Sequence, residues 1–428
     1  MHRHRVLVLL GVAAAAAVVT LAAYGSTAKR DGTVTISFME AMSSGKQKPA
    51  LDLLTQRFER AHPNIKVQLI AEPNYGVLQQ KEQASIAAGD PPTIAQAYEN
   101  WAAGYADAKA IIPLTNYVNG KNGLSKAQQS KFWKGVWKDL FLPDGKIWMW
   151  PFNKSDYVMY YNADKLRKAG LQVPKTWVQF ATVAKSLTRN GDWAWSTDTG
   201  TLSAPADGAI IWMALTRAFG GTWVANGKPT LNTKAGVKAL QFLKDLKLHG
   251  ALQLGTNYPG ETALGAGRSA FDLSTIAGYP YELSADGGKF QMKVASLPTG
   301  RNGQGNSMQG TNVVLFAHAS LAQRAAAWEY MKFLTEPRQT AYWSEETGYL
   351  PVTQAAIPVM KRFIATHPYA QIAAESLNVA RGNPPYAWWT TAIGEVSEAL
   401  QASLGNGADP AQALATAQDK AMAAVSGG

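Results

Sequence analysis

Four acids, Glu40, Glu99, Asp272 and Glu282, are the side chains of this sequence with the greatest chemical reach. Two carboxyls facing each other across a cleft could serve as acid and base, or acid and nucleophile, and split a glycosidic bond. Their spacing along the chain does not bring any two together, and separate hydrogen-bonding or surface acids are the plainer reading. Other chemistries find less support. The histidines, His2, His4, His62, His249, His318 and His367, show no helical ligand spacing beyond the first residues, so no metal site is expected. No H-E-x-x-H, G-x-S-x-G, phosphate-cradling G-x-x-x-x-G-K or dinucleotide fingerprint occurs. The absence of cysteine removes thiolate ligands, disulfides and a thiol nucleophile. No cofactor is expected.

The chain carries 14 tryptophans and 16 tyrosines, and many fall near turns or strand ends, among them Tyr75, Tyr98, Trp101, Trp148, Trp150, Trp223, Trp343 and Tyr349. An amphipathic ring at such a place can lie against the C–H face of a sugar while its polar tip hydrogen-bonds. The same rings also fill cores, which is the commoner duty of any one of them.

The elements that must position these groups read as alternating strands and helices. Val34, Ile36 and Phe38 alternate as in a strand, Leu51, Leu54 and Phe58 share a helix face, and "NIKVQLI" returns to the strand period. A helix around Gln79 to Ala88 and the short run "PTIAQAY" follow. This grammar predicts a parallel α/β sheet covered on both faces. It recurs in "DYVMYYN", in "ADKLRKAG" stopped by Gly170, and in a helix opened by Thr176 with Gln179 three residues on. A second lobe of similar type is therefore expected. The Gly- and Asn-rich passage Leu297 to Asn312 reads as a connection, after which "VVLFAHAS" reads as a strand and helices follow through Thr335 and past Pro337.

At 428 residues two lobes are the default. The composition, 46% hydrophobic and 17% charged, is that of an ordinary globular protein. The formal charge is +11, but Arg3, Arg5, Lys29 and Arg30 supply four of the positive charges and the rest are scattered among acids, so nucleic acid is not an expected partner. Residues 1–28 have the basic start, apolar run from Val6 to Ala23 and small-residue exit of a secretory signal, so export is expected, with a retained anchor as the alternative.

The stretch "AAGDPPTIAQAYENWAAGYADAKAIIPL" resembles the signature region of the extracellular solute-binding proteins of family 1, which feed ABC importers. "YYNADKLRKAGLQVPKTW", "AFDLSTIAG" and "AWEYMKFLTEP…WSEETGYLPV" resemble further landmarks of that family in the same order, over nearly the whole chain after the leader. "FMEAM", "NYGVLQQ" and "TGYLPV" look closest to its glycerol-3-phosphate and glycerophosphodiester binders, with oligosaccharide binders as near relatives. The resemblance implies an α/β, two-lobe, periplasmic-binding-protein-like fold of the second type, with interleaved lobes, a hinge and a ligand cleft between them. The expected lobes are 31–148 with 306–352, and 149–305 with 353–428. It implies a non-enzymatic role: a monomer that closes on a small sugar, polyol or glycerophosphodiester and hands it to a membrane permease.

Carried over residue by residue, the resemblance implies that Tyr75 and Glu99 hydrogen-bond ligand hydroxyls and that Glu40 adds a polar contact. Ser155 and Thr275 match hydroxyl-bearing cleft loops. Gly310 matches a close backbone approach, Trp212 lies near a stacking position, and Tyr349 is the most specific match. The pattern also departs from the family. Glycerophosphate binders place an arginine near the last helices, where this chain has "NPPYAWWTTAIGEV" with Trp388 and Trp389. Arg381 lies upstream, and Lys154 could substitute as a point charge. Rings in the arginine's place, Trp388 among them, suggest a sugar, a polyol or a quaternary ammonium held by cation–π contact. Leu21-Ala22-Ala23 would precede a lipidated cysteine in Gram-positive relatives, but Tyr24 stands there, so lipid anchoring is doubtful.

Overall fold

The computed structural model describes residues 32–188, 192–201, 206–303 and 305–426; the expected leader lies outside the described residues. In the first lobe, strands β1 (Val34–Glu40), β2 (Ile65–Ala71), β3 (Ile94–Ala97), β4 (Trp150–Pro151) and β13 (Asn312–Leu315) form one sheet in the order β2-β1-β3-β13-β4. β1 runs parallel to β2 and β3, while β13 is antiparallel to both of its neighbours. The helix Gln47–Ala61 buries Leu51, Leu54 and Phe58, the face its spacing predicts.

The second lobe is centred on β5 (Ser155–Asn162), which is flanked by β10 (Phe271–Thr275) and β11 (Met292–Ser296) and also pairs with β12 (Met308–Gln309). All three pairings are antiparallel, a correction to the expected repeat of a parallel sheet. Long helical excursions return the chain to β5 from the opposite end, which strand and helix alternation alone does not distinguish from a parallel crossover. A short parallel pair, β6 (Trp195–Thr197) with β9 (Leu252–Leu254), and a hairpin of β7 (Val224–Ala225) with β8 (Lys228–Pro229) complete the described strands.

The lobes are interleaved. The chain passes from β4 to β5 through residues 152–154 and returns through β12 and β13, so the first passage falls a few residues beyond the expected 149, because Trp150 and Pro151 still pair with β13. After Leu350 it stays on the first lobe through Ala356 and Met360, which pack on Ala341, before the helix Tyr369–Ser376 lies against β5 and β11. Each lobe has an aromatic core: Phe38, Phe58, Trp150 and Tyr330 in the first, and Trp177, Trp195, Trp212 and Trp389 in the second. Most of the tryptophans thus fill cores rather than a cleft.

Candidate binding cleft and the ionic knot behind it

Tyr75 opens the helix Tyr75–Ala88, where Asn74 caps the first turn by accepting a hydrogen bond from the Val77 amide at 2.9 Å. Tyr349 follows the helix Pro337–Thr347, which Pro337 starts and Gly348 ends in the left-handed conformation, φ 81°. These two helix ends bring the phenols together, with their oxygens 3.1 Å apart. Tyr349, 8% exposed, stacks on Trp343 at 5.9 Å, and Tyr75 packs edge-on against Tyr98 at 5.4 Å.

The connection between β4 and β5 supplies the next partner. Asn153 donates from Nδ2 to the Tyr75 hydroxyl at 2.6 Å, and its Oδ1 accepts from Gln96 Nε2 at 3.1 Å, Thr311 Oγ1 at 2.6 Å and the Thr311 amide at 3.0 Å. Gln96 in turn accepts from the Ala41 amide at 2.6 Å. This network of hydroxyls and amides carries no charge. Gly310 makes room for it: at φ 82°, an added Cβ would lie 1.7 Å from the Asn153 carbonyl oxygen. Glu40 ends β1 beside this network, buried, with its carboxylate accepting from the Met42 amide; burial pushes its carboxyl above the usual range.

The second lobe contributes Tyr157, whose hydroxyl donates to Asp207, and Ser274, which donates to the other oxygen of Asp207 at 3.3 Å. Burial raises the Asp207 carboxyl to about 6. Thr275 ends β10 opposite Tyr157 and accepts at its backbone oxygen from Tyr160 at 2.7 Å. Ser155 lies two residues before Tyr157 on β5, buried opposite Gln309. Ser44 of the first lobe and Tyr281 of the second meet at 3.3 Å, and Asn100 donates to Thr390 at 2.7 Å.

Lys154, the residue after Asn153, goes the other way. It is 0% exposed, and its ammonium donates to Asp139 Oδ2 at 2.6 Å and Glu99 Oε1 at 3.1 Å. Asn312 donates to the same two carboxylates at 3.0 and 3.1 Å, and the Asn383 amide donates to Glu99 Oε2 at 3.2 Å. Burial lowers the basicity of the ammonium, but Asp139 and Glu99 outweigh it and leave Lys154 above the ordinary lysine value. Burial, then repulsion from Asp139, raises Glu99 to about 8.

Of the positions carried over from the sequence, Tyr75 and Tyr349 meet directly, with Gly310 behind them. Ser155 and Thr275 lie on adjacent strands of the second lobe. Glu99 has both oxygens engaged inside the protein. Trp212 is 0% exposed in the second core, its indole donating to the Gly236 carbonyl at 2.9 Å, so it is packing in place of the expected stacking ring. Trp388 is half-buried and stacks on Tyr386 at 5.1 Å. Asp272 and Glu282 are buried against each other in the second lobe; burial raises the Asp272 carboxyl although a hydrogen bond with Glu282 opposes the rise, and burial followed by repulsion from Asp272 raises that of Glu282. With Glu99 held in the knot, the four acids are not arranged as a pair across a cleft. Asn153, Gln96, Thr311, Tyr157 and Asp207 were not anticipated. The signal for Asn153 and Lys154 was there: they open four polar residues in succession, Asn153 to Asp156, between the apolar stretch from Ile147 to Phe152 and the strand residues Tyr157 and Val158.

None of the described helices is long and apolar enough to cross a membrane. The profile of the bacterial extracellular solute-binding protein family matches residues 54–369. The sn-glycerol-3-phosphate-binding periplasmic protein UgpB of Pectobacterium atrosepticum is 29% identical over 399 residues, spanning 85% of this chain and 83% of the relative. The crystal structure of UgpB from Mycobacterium tuberculosis in complex with glycerophosphocholine superposes with a TM-score of 0.79 at 21% identity, covering 92% of this chain and 99% of that one. The sugar-binding protein MalE of Xanthomonas citri gives 0.79 at 20% identity, over 92% and 98%. The chain belongs to the bacterial extracellular solute-binding proteins, and its role is substrate binding for an ABC importer.

Proposed function

We propose that the protein, acting without catalysis, captures an uncharged or zwitterionic, hydroxyl-rich small molecule, a sugar, polyol or glycerophosphodiester, between Tyr75, Tyr349 and Glu40 of one lobe and Ser155 and Thr275 of the other. Trp388 is assigned a ring contact at the margin of the cleft. The observation that carries this reading is the state of Lys154. It is the cation nearest the hydroxyl network in sequence, and it is buried and held by Asp139 and Glu99. A free phosphate dianion would need a bidentate or point-charge partner that this lysine does not offer. Hydroxyls and rings suit a ligand that presents hydroxyls and C–H faces. Closure adds the second lobe's contacts and shifts the population toward the form a permease would receive.

The test is thermal denaturation of ligand-free protein against neutral sugars, polyols, glycerophosphocholine and sn-glycerol-3-phosphate. A ligand that binds only the folded form raises the melting temperature by mass action. A shift with a neutral or zwitterionic compound is expected. A shift with sn-glycerol-3-phosphate alone, or with none of the panel, would overturn the reading.

A further inference from the structure

The Gly- and Asn-rich passage that leads back from the second lobe carries one buried side chain whose surroundings the cleft does not explain. Gly305 runs so close to the helix Asp207–Ala218 that an added Cβ would lie 2.0 Å from the Ala214 carbonyl oxygen. Asn306 follows, 1% exposed. Its Oδ1 accepts from the Tyr157 amide at 3.2 Å, and its Nδ2 donates to the Tyr157 carbonyl at 2.9 Å. One side-chain amide thus satisfies both backbone groups of a strand residue, as a neighbouring strand would, just beyond the two residues through which β12 pairs with β5.

The same residue reaches the other connections. Its Nδ2 also faces Asp156 Oδ2 and Ser376 Oγ, each at 3.2 Å. Its backbone oxygen accepts from the Arg217 guanidinium at 2.8 Å and from the Arg381 amide at 3.3 Å. Ser376 ends the helix Tyr369–Ser376, and the next residue, Leu377, accepts at its carbonyl from the Gly135 amide of the first lobe at 2.9 Å. Asn306 therefore joins β5 and the helix Asp207–Ala218 of the second lobe to a segment docked on the first.

We propose that Asn306 is a positioning residue: it touches no ligand, and by fixing Tyr157 against the segment around Ser376 it sets the angle between the lobes and hence the ratio of closed to open forms. The proposal rests on lobe closure as read above, though not on which molecule is enclosed. The geometry makes asparagine specific here. A carboxylate at this position could not donate to the Tyr157 carbonyl, and leucine, of similar size, would leave that carbonyl and the Tyr157 amide without partners. A truncation inside one lobe's core, by contrast, lowers stability without reaching the junction.

The test is a distance between the lobes, measured in the full chain without added ligand. The sequence has no cysteine, so Gln56→Cys on the first lobe and Leu248→Cys on the second, both exposed, place spin labels at two defined points for pulsed electron resonance. Asn306→Leu should shift the ratio of short to long separations about tenfold, the scale of one or two lost hydrogen bonds. Ser376→Ala, which removes one contact of the amide, should shift it in the same direction by less, and it decides the question where the leucine variant does not fold. Leu243→Ala, at a 0% exposed position of the second core, should lower the melting temperature and leave the distribution as in the parent. An unchanged distribution in folded Asn306→Leu, or in Ser376→Ala where that variant does not fold, would overturn the proposal. An equal shift from Leu243→Ala would also overturn it, since any loss of stability would then open the lobes. A shift at the junction with no compound of the melting panel bound would support the proposal and overturn only the reading of the cleft.

Discussion

The tyrosine network and the ionic knot lie back to back, one reached by Asn153 and the other by Lys154, and they are satisfied in opposite ways. In front, neutral groups hydrogen-bond in a chain that ends in the phenols of Tyr75 and Tyr349, where donors and acceptors are left over. Behind, one ammonium, two carboxylates, the Asn312 amide and the Asn383 backbone close on one another. The difference teaches that residual hydrogen-bonding capacity, not charge, marks where a neutral guest can be held. A buried charge with its partners in place is scaffolding.

The largest break in this comparison should come from Lys154→Met. It would strand Glu99 and Asp139 in the interior without their cation, and breaking a buried pair in this way costs about 3–5 kcal/mol. Urea denaturation reads the loss; a change below about 1 kcal/mol, the range of solvated ion pairs, would mean that the knot is wet and the contrast false.

A pH titration sharpens the same contrast. Glu82 is buried with Tyr105 as its hydrogen-bond donor at 2.7 Å, and burial raises its carboxyl to about 8, as it does for Glu99. A carboxyl that holds its proton more tightly in the folded state stabilises the fold fully below its unfolded value near 4.5, and the contribution is lost as pH rises toward 8. Melting temperature should therefore be higher near pH 5 than near pH 8, with a difference for this group of up to about 3 kcal/mol. Glu82→Gln should flatten part of that slope. A melting temperature that rises across this window would contradict the assignment.

The smallest structural effect belongs to Tyr349→Phe. It keeps the ring on Trp343 and removes one hydroxyl, so stability should change by less than about 1 kcal/mol while affinity for the cleft ligand falls roughly three- to tenfold. Titration of the ligand found by the melting panel separates the two. An unchanged affinity would take Tyr349 out of the binding cleft.

Much of this arrangement could be read from the sequence, because local patterns encode it. The alternation of Val34, Ile36 and Phe38 and the face of Leu51, Leu54 and Phe58 follow from burial on one side of an element. Tyr75 and Tyr349 were named from the family resemblance, and the structure places each at a helix end, beside Asn74 or Gly348. Trp212 misled: it lies in the run Ala209 to Leu215, apolar on every side, which marks a helix buried all round and a ring that packs. The surroundings of Glu99 were illegible for a different reason. The partners that consume it, Asp139, Lys154 and Asn312, are tens to hundreds of residues away, and only the tertiary fold brings them to its carboxylate. The antiparallel second sheet was hidden in the same way, since strand direction is set by where long connections return.

The alternation at Asn153 and Lys154 has a consequence for the length of the crossing segment. Adding or removing one residue between Trp150 and Ser155 would reverse which side each of these two side chains faces. An ammonium would then be delivered among phenols, and an amide would be left to answer two carboxylates. The spacing of this short segment is thus as tightly constrained as its composition, and loop grafts or tags placed there should fail even when every original side chain is kept.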